Sequence, residues 1–243
     1  MKTYKLLGCP CAAVSNSKQA QQQLANLVHA GKGGYSVAIN AEKISRYRID
    51  AELRSVIYGA SFVYPDGAGA VLGLLWLHRK KSNKINFPLV ALETANQHRW
   101  RVFLLGAKEE INAFAAKKIA NEYPNIQIVG RANGYKSDDE LTKLVSVSNP
   151  QLIMLALGSP KQEFWAEALQ KKNINAFCVG CGGAFDIMAG RLKRAPEFMI
   201  NNNMEWLYRV IQEPFRWRRQ LVLPIFMSKL IWEVFLQRLG FRS

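Results

Sequence analysis

Asp66, in Pro65-Asp66-Gly67, is a solitary carboxylate at the end of a short apolar run, just ahead of the apolar segment Ala68–Leu77. An acid so placed could take a proton from an attacking hydroxyl, although Pro-Asp-Gly is also ordinary turn chemistry. Asn40 follows the apolar run Tyr35–Ile39 in the same way. It would serve equally as a ligand contact or as the cap of a following helix. Between Leu152 and Pro196 one idea occurs twice, an apolar run that stops at a glycine-rich turn. The first turn is Gly158-Ser159-Pro160, with Gln162 and Glu163 just beyond. The second is Cys181-Gly182-Gly183, with Asp186 nearby. Strand, glycine turn and helix together aim bare backbone N–H groups and a positive helix end at one point. Two such turns on neighbouring strands suit a phosphate or diphosphate, although glycines also simply permit tight turns. A full GxGxxG is absent because Phe185 takes the place of its last glycine, so a dinucleotide fold is only weakly indicated.

To bring these residues to one place the chain must alternate strands and helices. Leu152–Leu157, short, continuous and apolar, suits a strand buried on both faces, and strand-like segments occur at Lys5–Gly8, Tyr35–Ile39, Ser61–Tyr64 and Arg101–Leu105, the last ending in Gly106. They recur at Gln127–Val129 and Ala176–Gly180. Helical spacing is found over Ser17–Ala30, Ala51–Gly59, Ala68–Leu77, Leu89–Asn96, Glu109–Glu122 and Asp138–Val147. A further helix is expected over Pro160–Lys171, with Ser159 as N-cap, Pro160 at the first helical position and Gln162 completing a capping box. Another starts near Ala184. This alternation predicts an α/β fold, a doubly wound and mostly parallel sheet with helices on both faces. In such folds ligands sit at the carboxyl ends of the strands, where Asn40, Asp66 and both glycine turns are expected.

The 243 residues, 49% hydrophobic, suffice for one sizeable α/β domain with an appendage. There are 33 Lys and Arg against 18 Asp and Glu, a formal charge of +15 that points to an anionic partner. Leu6-Leu7-Gly8-Cys9 imitates a lipoprotein cleavage box, but what precedes it is too short and polar for a signal peptide. No run reaches the ~20 apolar residues needed to cross a bilayer. Cys9, Cys11, Cys178 and Cys181 have a spacing that zinc could use, but Cys178 falls inside a strand, which favours buried, reduced thiols. The basic run His78-Arg79-Lys80-Lys81 is first of all a solvated face.

Beyond Pro196 the character changes. Met204–Ile211 is followed by Glu213-Pro214-Phe215-Arg216-Trp217-Arg218-Arg219. Then comes Leu221–Leu239, apolar over most of its circumference, with a narrow polar stripe of Lys229, Glu233 and Gln237. Residues 191–243 hold ten Lys and Arg against four Glu. Basic residues flanking an apolar helix with Trp232 and Phe235 suit a membrane interface, and they equally suit a helix docked on the domain or on a sister subunit. Residues 1–195 therefore form the expected catalytic domain and residues 196–243 a membrane- and acceptor-binding appendage.

Read together, Pro65-Asp66-Gly67, Phe103-Leu104-Leu105-Gly106, Gly158-Ser159-Pro160-Lys161-Gln162-Glu163, Gly182-Gly183-Ala184-Phe185-Asp186, Lys193-Arg194-Ala195-Pro196 and Glu205-Trp206-Leu207-Tyr208-Arg209 through Glu213-Pro214 occur in one order. This set resembles the WecG/TagA/CpsF glycosyltransferases over essentially the whole chain. The resemblance implies a Rossmann-like α/β domain with a C-terminal appendage, and an inverting enzyme that moves a sugar from UDP to a polyprenyl-diphosphate-linked N-acetylglucosamine in cell-surface polysaccharide or teichoic-acid synthesis. N-Acetylmannosamine is the default donor sugar, with another hexose or a uronic acid as the alternative. It also implies a cytoplasmic protein, peripheral on the inner face of the membrane.

By the same resemblance, Asp66 matches the family's proposed base and Asn40 a donor-pocket position. Ser159, Gln162 and Asp186 become candidate diphosphate contacts beside Gly106, Gly158, Pro160, Glu163, Gly182 and Gly183. Arg209, Arg216 and Arg219, with Arg194 and Lys84, are candidate acceptor and phosphate contacts, since guanidinium forks suit phosphate oxygens. No metal-ligand cluster is apparent, so metal independence and no cofactor are expected. Two departures bear on the donor sugar. Ala38 stands where the family usually has Thr, and Lys84 stands for an Arg in a stretch whose acidic residue is missing. The competing readings are a nucleotide-binding oxidoreductase and a nucleic-acid-binding protein. The basic charge gathers beside an apolar helix rather than a stacking platform, so no nucleic-acid partner is expected, and self-association stays open.

Overall fold

The computed structural model describes residues 1–192, 195–201, 204–212, 214, 217 and 221–240. A six-stranded parallel sheet organises them, in the order β4-β3-β8-β7-β5-β6. Its strands are β3 (Gly34–Ile39), β4 (Phe62–Pro65), β5 (Arg101–Gly106), β6 (Gln127–Ala132), β7 (Leu152–Ala156) and β8 (Phe177–Gly180). Side chains alternate between two buried clusters, one on each face. Val37, Ile39, Phe103, Leu105, Ile153 and Cys178 enter one, while Phe62, Tyr64, Leu104, Met154, Phe177 and Val179 enter the other. Burial on both faces explains the apolar character of β4, β5, β7 and β8, while the edge strand β6 is largely half-buried and carries Gln127 and Arg131 exposed. The α/β, Rossmann-like expectation is met.

On the first face lie α2 (Ala41–Tyr47), α3 (Ala51–Gly59), α4 (Ala68–His78), α7 (Asp138–Ser148) and α8 (Lys161–Lys171). On the second lie α1 (Ser17–His29), α5 (Phe87–His98), α6 (Glu109–Glu122) and the short α9 (Ala184–Met188). The expected first strand is Thr3–Leu6 (β1), and it forms an antiparallel hairpin with Cys9–Ala12 (β2). Leu7 and Gly8 make the two-residue turn at φ 49° and 89°, the left-handed geometry that matches strand twist. Nothing in the sequence marks β2, since Cys-Pro-Cys lacks the alternation of a strand.

The expected capping box at α8 does not form. The helix starts at Lys161 with Pro160 as its cap and no side-chain cap bond. Gln162 has turned inward instead, where its amide donates to Glu163 Oε1 at 3.3 Å.

The C-terminal helices are α10 (Glu197–Asn201), α11 (Glu205–Gln212) and α12 (Val222–Arg238). The last lies against α2 and α4. Its Phe226 and Leu230 are fully buried in the first-face cluster, where Gly69 and Gly73 of α4 leave them room. The opposite side of α12 leaves Ile225, Ile231, Trp232 and Phe235 exposed. No described helix is long and apolar enough to cross a membrane.

All four cysteines are free and buried. Burial pushes the Cys9 and Cys178 thiols up to about 12 and raises Cys11 and Cys181 as well. Cys181 lies in the second-face cluster and the other three in the first. Among the described residues no group of three or more His, Cys, Asp or Glu is placed to hold a metal.

Candidate active site

Four neighbouring strands, β4, β3, β8 and β7, end at one cavity of about 510 Å³. Asp66 reaches it from the end of β4, Asn40 from β3, Gly182 and Gly183 from β8, and Ser159 and Pro160 from β7. The parallel pairing of β3 with β4 sets the first two side by side, and the Asp66 amide donates to Ile39 O at 2.7 Å. Asn40 is the helix cap that one of its sequence readings expected. Its Oδ1 caps α2 by accepting from the Lys43 amide at 3.0 Å, and it lines the cavity. The amides of Gly182 and Gly183 donate no backbone hydrogen bond among the described residues.

The base of the cavity holds a polar cluster around Lys43. The Lys43 ammonium donates to Glu163 Oε1 at 2.5 Å and to Ala38 O at 2.9 Å. Gln162 lies above the end of β8, where a Cβ on Gly180 would come within 2.3 Å of its Nε2. Glycine at 180 is therefore what allows Gln162 its place. A carboxylate only accepts, so the Glu163 bond directs the Gln162 amino group toward it. Gln162 Oε1 and Glu163 Oε2 are buried without a partner among the described residues.

Beyond these residues the cavity runs past Lys84, Ile85 and Asn86 to Lys118 and Glu122 of α6 and its C-cap Tyr123. Tyr64 of β4 forms part of its wall and is 3% exposed. Burial, and after it the nearby Asp66 carboxylate, hold the Tyr64 phenol well above its usual range, so it keeps its proton.

Of the residues singled out in the sequence, Asn40, Asp66, Lys84, Ser159, Pro160, Gln162, Gly182 and Gly183 line the cavity together. Gly106, Gly158, Glu163 and Asp186 do not line it. Gly106, at φ 112°, lies so close to β7 that a Cβ would sit 2.4 Å from the Ala156 carbonyl, so its glycine answers to strand packing. Glu163 is paired with Lys43, and Asp186 lies 3.7 Å from Arg191. Arg194, Arg216 and Arg219 fall outside the described residues, as does the side chain of Arg209 on α11. Sequence reasoning missed Lys43 and Tyr64. Lys43 sits three residues after a capping Asn, which puts it on the first turn beside the cap.

The sequence matches the glycosyl transferase WecG/TagA/CpsF family over residues 4–240. An N-acetylglucosaminyldiphosphoundecaprenol N-acetyl-beta-D-mannosaminyltransferase of Bacillus subtilis (strain 168) is 36% identical over 183 residues, 72% of this chain and 70% of that protein. A protein of the same name from Bacillus spizizenii (strain ATCC 23059 / NRRL B-14472 / W23) is 32% identical over 204 residues, 82% of this chain and 79% of that one.

Proposed function

Because the chain belongs to the WecG/TagA/CpsF glycosyltransferase family, we propose that it transfers N-acetylmannosamine from UDP to N-acetylglucosamine carried on a polyprenyl diphosphate. The two relatives are named for this mannosaminyl transfer to that lipid-linked sugar. The single observation that carries the reading is the meeting of Asp66, Asn40, Gln162 and the Gly182-Gly183 amides on one cavity.

In the reaction, Asp66 takes the proton from the acceptor hydroxyl as its oxygen attacks the anomeric carbon. The bond from that carbon to the phosphate oxygen breaks on the opposite side, its electron pair leaves with UDP, and the configuration inverts. The glycine amides hold the departing diphosphate, and the cationic side chains Lys84, Arg194, Arg209, Arg216 and Arg219 neutralise phosphate charge on donor and acceptor. Asn40 and Gln162 position the donor. The exposed apolar side of α12, with Trp232 and Phe235, rests on the cytoplasmic face of the membrane, where the lipid acceptor is found. Family membership leaves no support for the oxidoreductase and nucleic-acid alternatives.

Purified protein given UDP-N-acetylmannosamine and a short-chain polyprenyl-diphosphate N-acetylglucosamine should release UDP and yield the disaccharide lipid, read by mass spectrometry. Asp66→Asn should lower turnover by roughly a hundredfold or more. Absence of transfer from any UDP-hexose, or full activity in Asp66→Asn, contradicts the reading.

A further inference from the structure

Ala38 and Tyr64 are register partners on β3 and β4, and both side chains belong to the second face of the sheet. Both also line the cavity. The methyl group of Ala38 leaves the space beside it to the larger ring. Tyr64 is fixed there by aromatic contacts, its ring centroid 4.6 Å from that of Phe87 and 5.5 Å from that of Phe62. Phenylalanine would supply the same packing. What tyrosine adds is a hydroxyl, and that hydroxyl makes no hydrogen bond to a described residue. It is not one of the buried side-chain atoms left without a partner, so it opens on the cavity that Tyr64 lines, where it can bond a ligand that enters.

The surroundings say which part of the ligand. Tyr64 stands two residues before Asp66, and its phenol feels the Asp66, Cys181 and Glu163 groups electrostatically. With Ala38 as its register partner and Asp66 two residues on, it lies among the side chains at the strand ends. Resting on the glycosyltransferase reading, we propose that Tyr64 is a specificity-determining contact to the donor sugar. Its phenol bonds a ring hydroxyl or the acetamido oxygen of the UDP-linked hexosamine. Where a hydroxyl on β3 at position 38 would reach that sugar, this chain supplies the hydroxyl from the neighbouring strand.

The test compares Tyr64→Phe with the natural chain by calorimetric titration of UDP and of UDP-N-acetylmannosamine, alongside donor KM and kcat. The affinity for the UDP-sugar should fall, and donor KM should rise, by about tenfold, with affinity for UDP alone held within about twofold. Ala38→Thr added to Tyr64→Phe should regain at least about threefold of the lost sugar affinity by restoring a hydroxyl on the same face. Unchanged sugar affinity in Tyr64→Phe overturns the proposal, as does equal weakening of UDP and UDP-sugar, which would place the phenol on the nucleotide. A natural chain that binds neither ligand overturns the glycosyltransferase reading and this one with it. Binding by the natural chain with no effect of Tyr64→Phe overturns this one alone.

Discussion

Lys43 Nζ lies 2.5 Å from Glu163 Oε1, and this contact joins the start of α2 to the first turn of α8. The two helices follow β3 and β7, which are not neighbours, so the pair spans the end of β8 between them. It thereby holds Asn40, at the cap of α2, in fixed relation to Gln162 on α8.

Both partners are buried, with side-chain exposures of 11% and 3%, so breaking the pair strands a charge. Lys43→Met or Glu163→Gln should each lose about 3–5 kcal/mol in urea unfolding. Lys43→Met with Glu163→Leu should recover much of that stability, because neither charge then remains. Single variants as stable as the natural chain would show that the pair is not a clamp.

Gly180→Ala drives a methyl group into Gln162. Stability should fall by about 1–3 kcal/mol, and turnover should fall by more than about tenfold because Gln162 leaves its place. Adding Gln162→Ala should relieve the clash and restore the melting temperature without restoring turnover. Turnover that returns along with stability would remove Gln162 from the mechanism.

The buried thiols predict how stability depends on pH. Folding raises Cys9 and Cys178 from 9.0 to about 12. The unfolded chain therefore releases these protons first as pH rises. Their contribution is fully present below pH 9 and disappears as pH climbs toward about 12. Native protein should resist a thiol reagent at pH 8 and titrate four thiols, the number it contains, in denaturant. Rapid labelling of the native chain would contradict this burial.

Phe226→Ala should cost about 3–5 kcal/mol, since its fully buried ring fills the space above Gly69. Trp232→Ala, on the exposed side of the same helix, should change stability by less than about 0.5 kcal/mol while weakening sedimentation with anionic liposomes. Equal unfolding losses in the two variants would show that α12 has no outward face to spare.

The sequence made most of the sheet and the placement of its turns readable, because strands buried on both faces, such as β7 and β8, are short apolar runs that stop at glycine, and β3 and β4 stop at Asn40 and Pro65-Asp66. Asn40, Asp66 and Gly182 could be put on one rim from that pattern alone. Register could not. Nothing in a linear reading sets Ala38 beside Tyr64 or brings Lys43 to Glu163, 120 residues away. Ser159 looked like a helix cap because its residue type favours caps, but the inward turn of Gln162 toward Glu163 depends on a tertiary contact. Gly106 looked like its counterparts in the other turns, yet the closeness of the Ala156 backbone accounts for it.

The most direct test is a crystal structure of the protein with UDP. The diphosphate should lie against the Gly182 and Gly183 amides, with its terminal phosphate pointing toward the space between Asp66 and Gln162. UDP seated elsewhere, with Asp66 far from its terminal phosphate, would contradict the account.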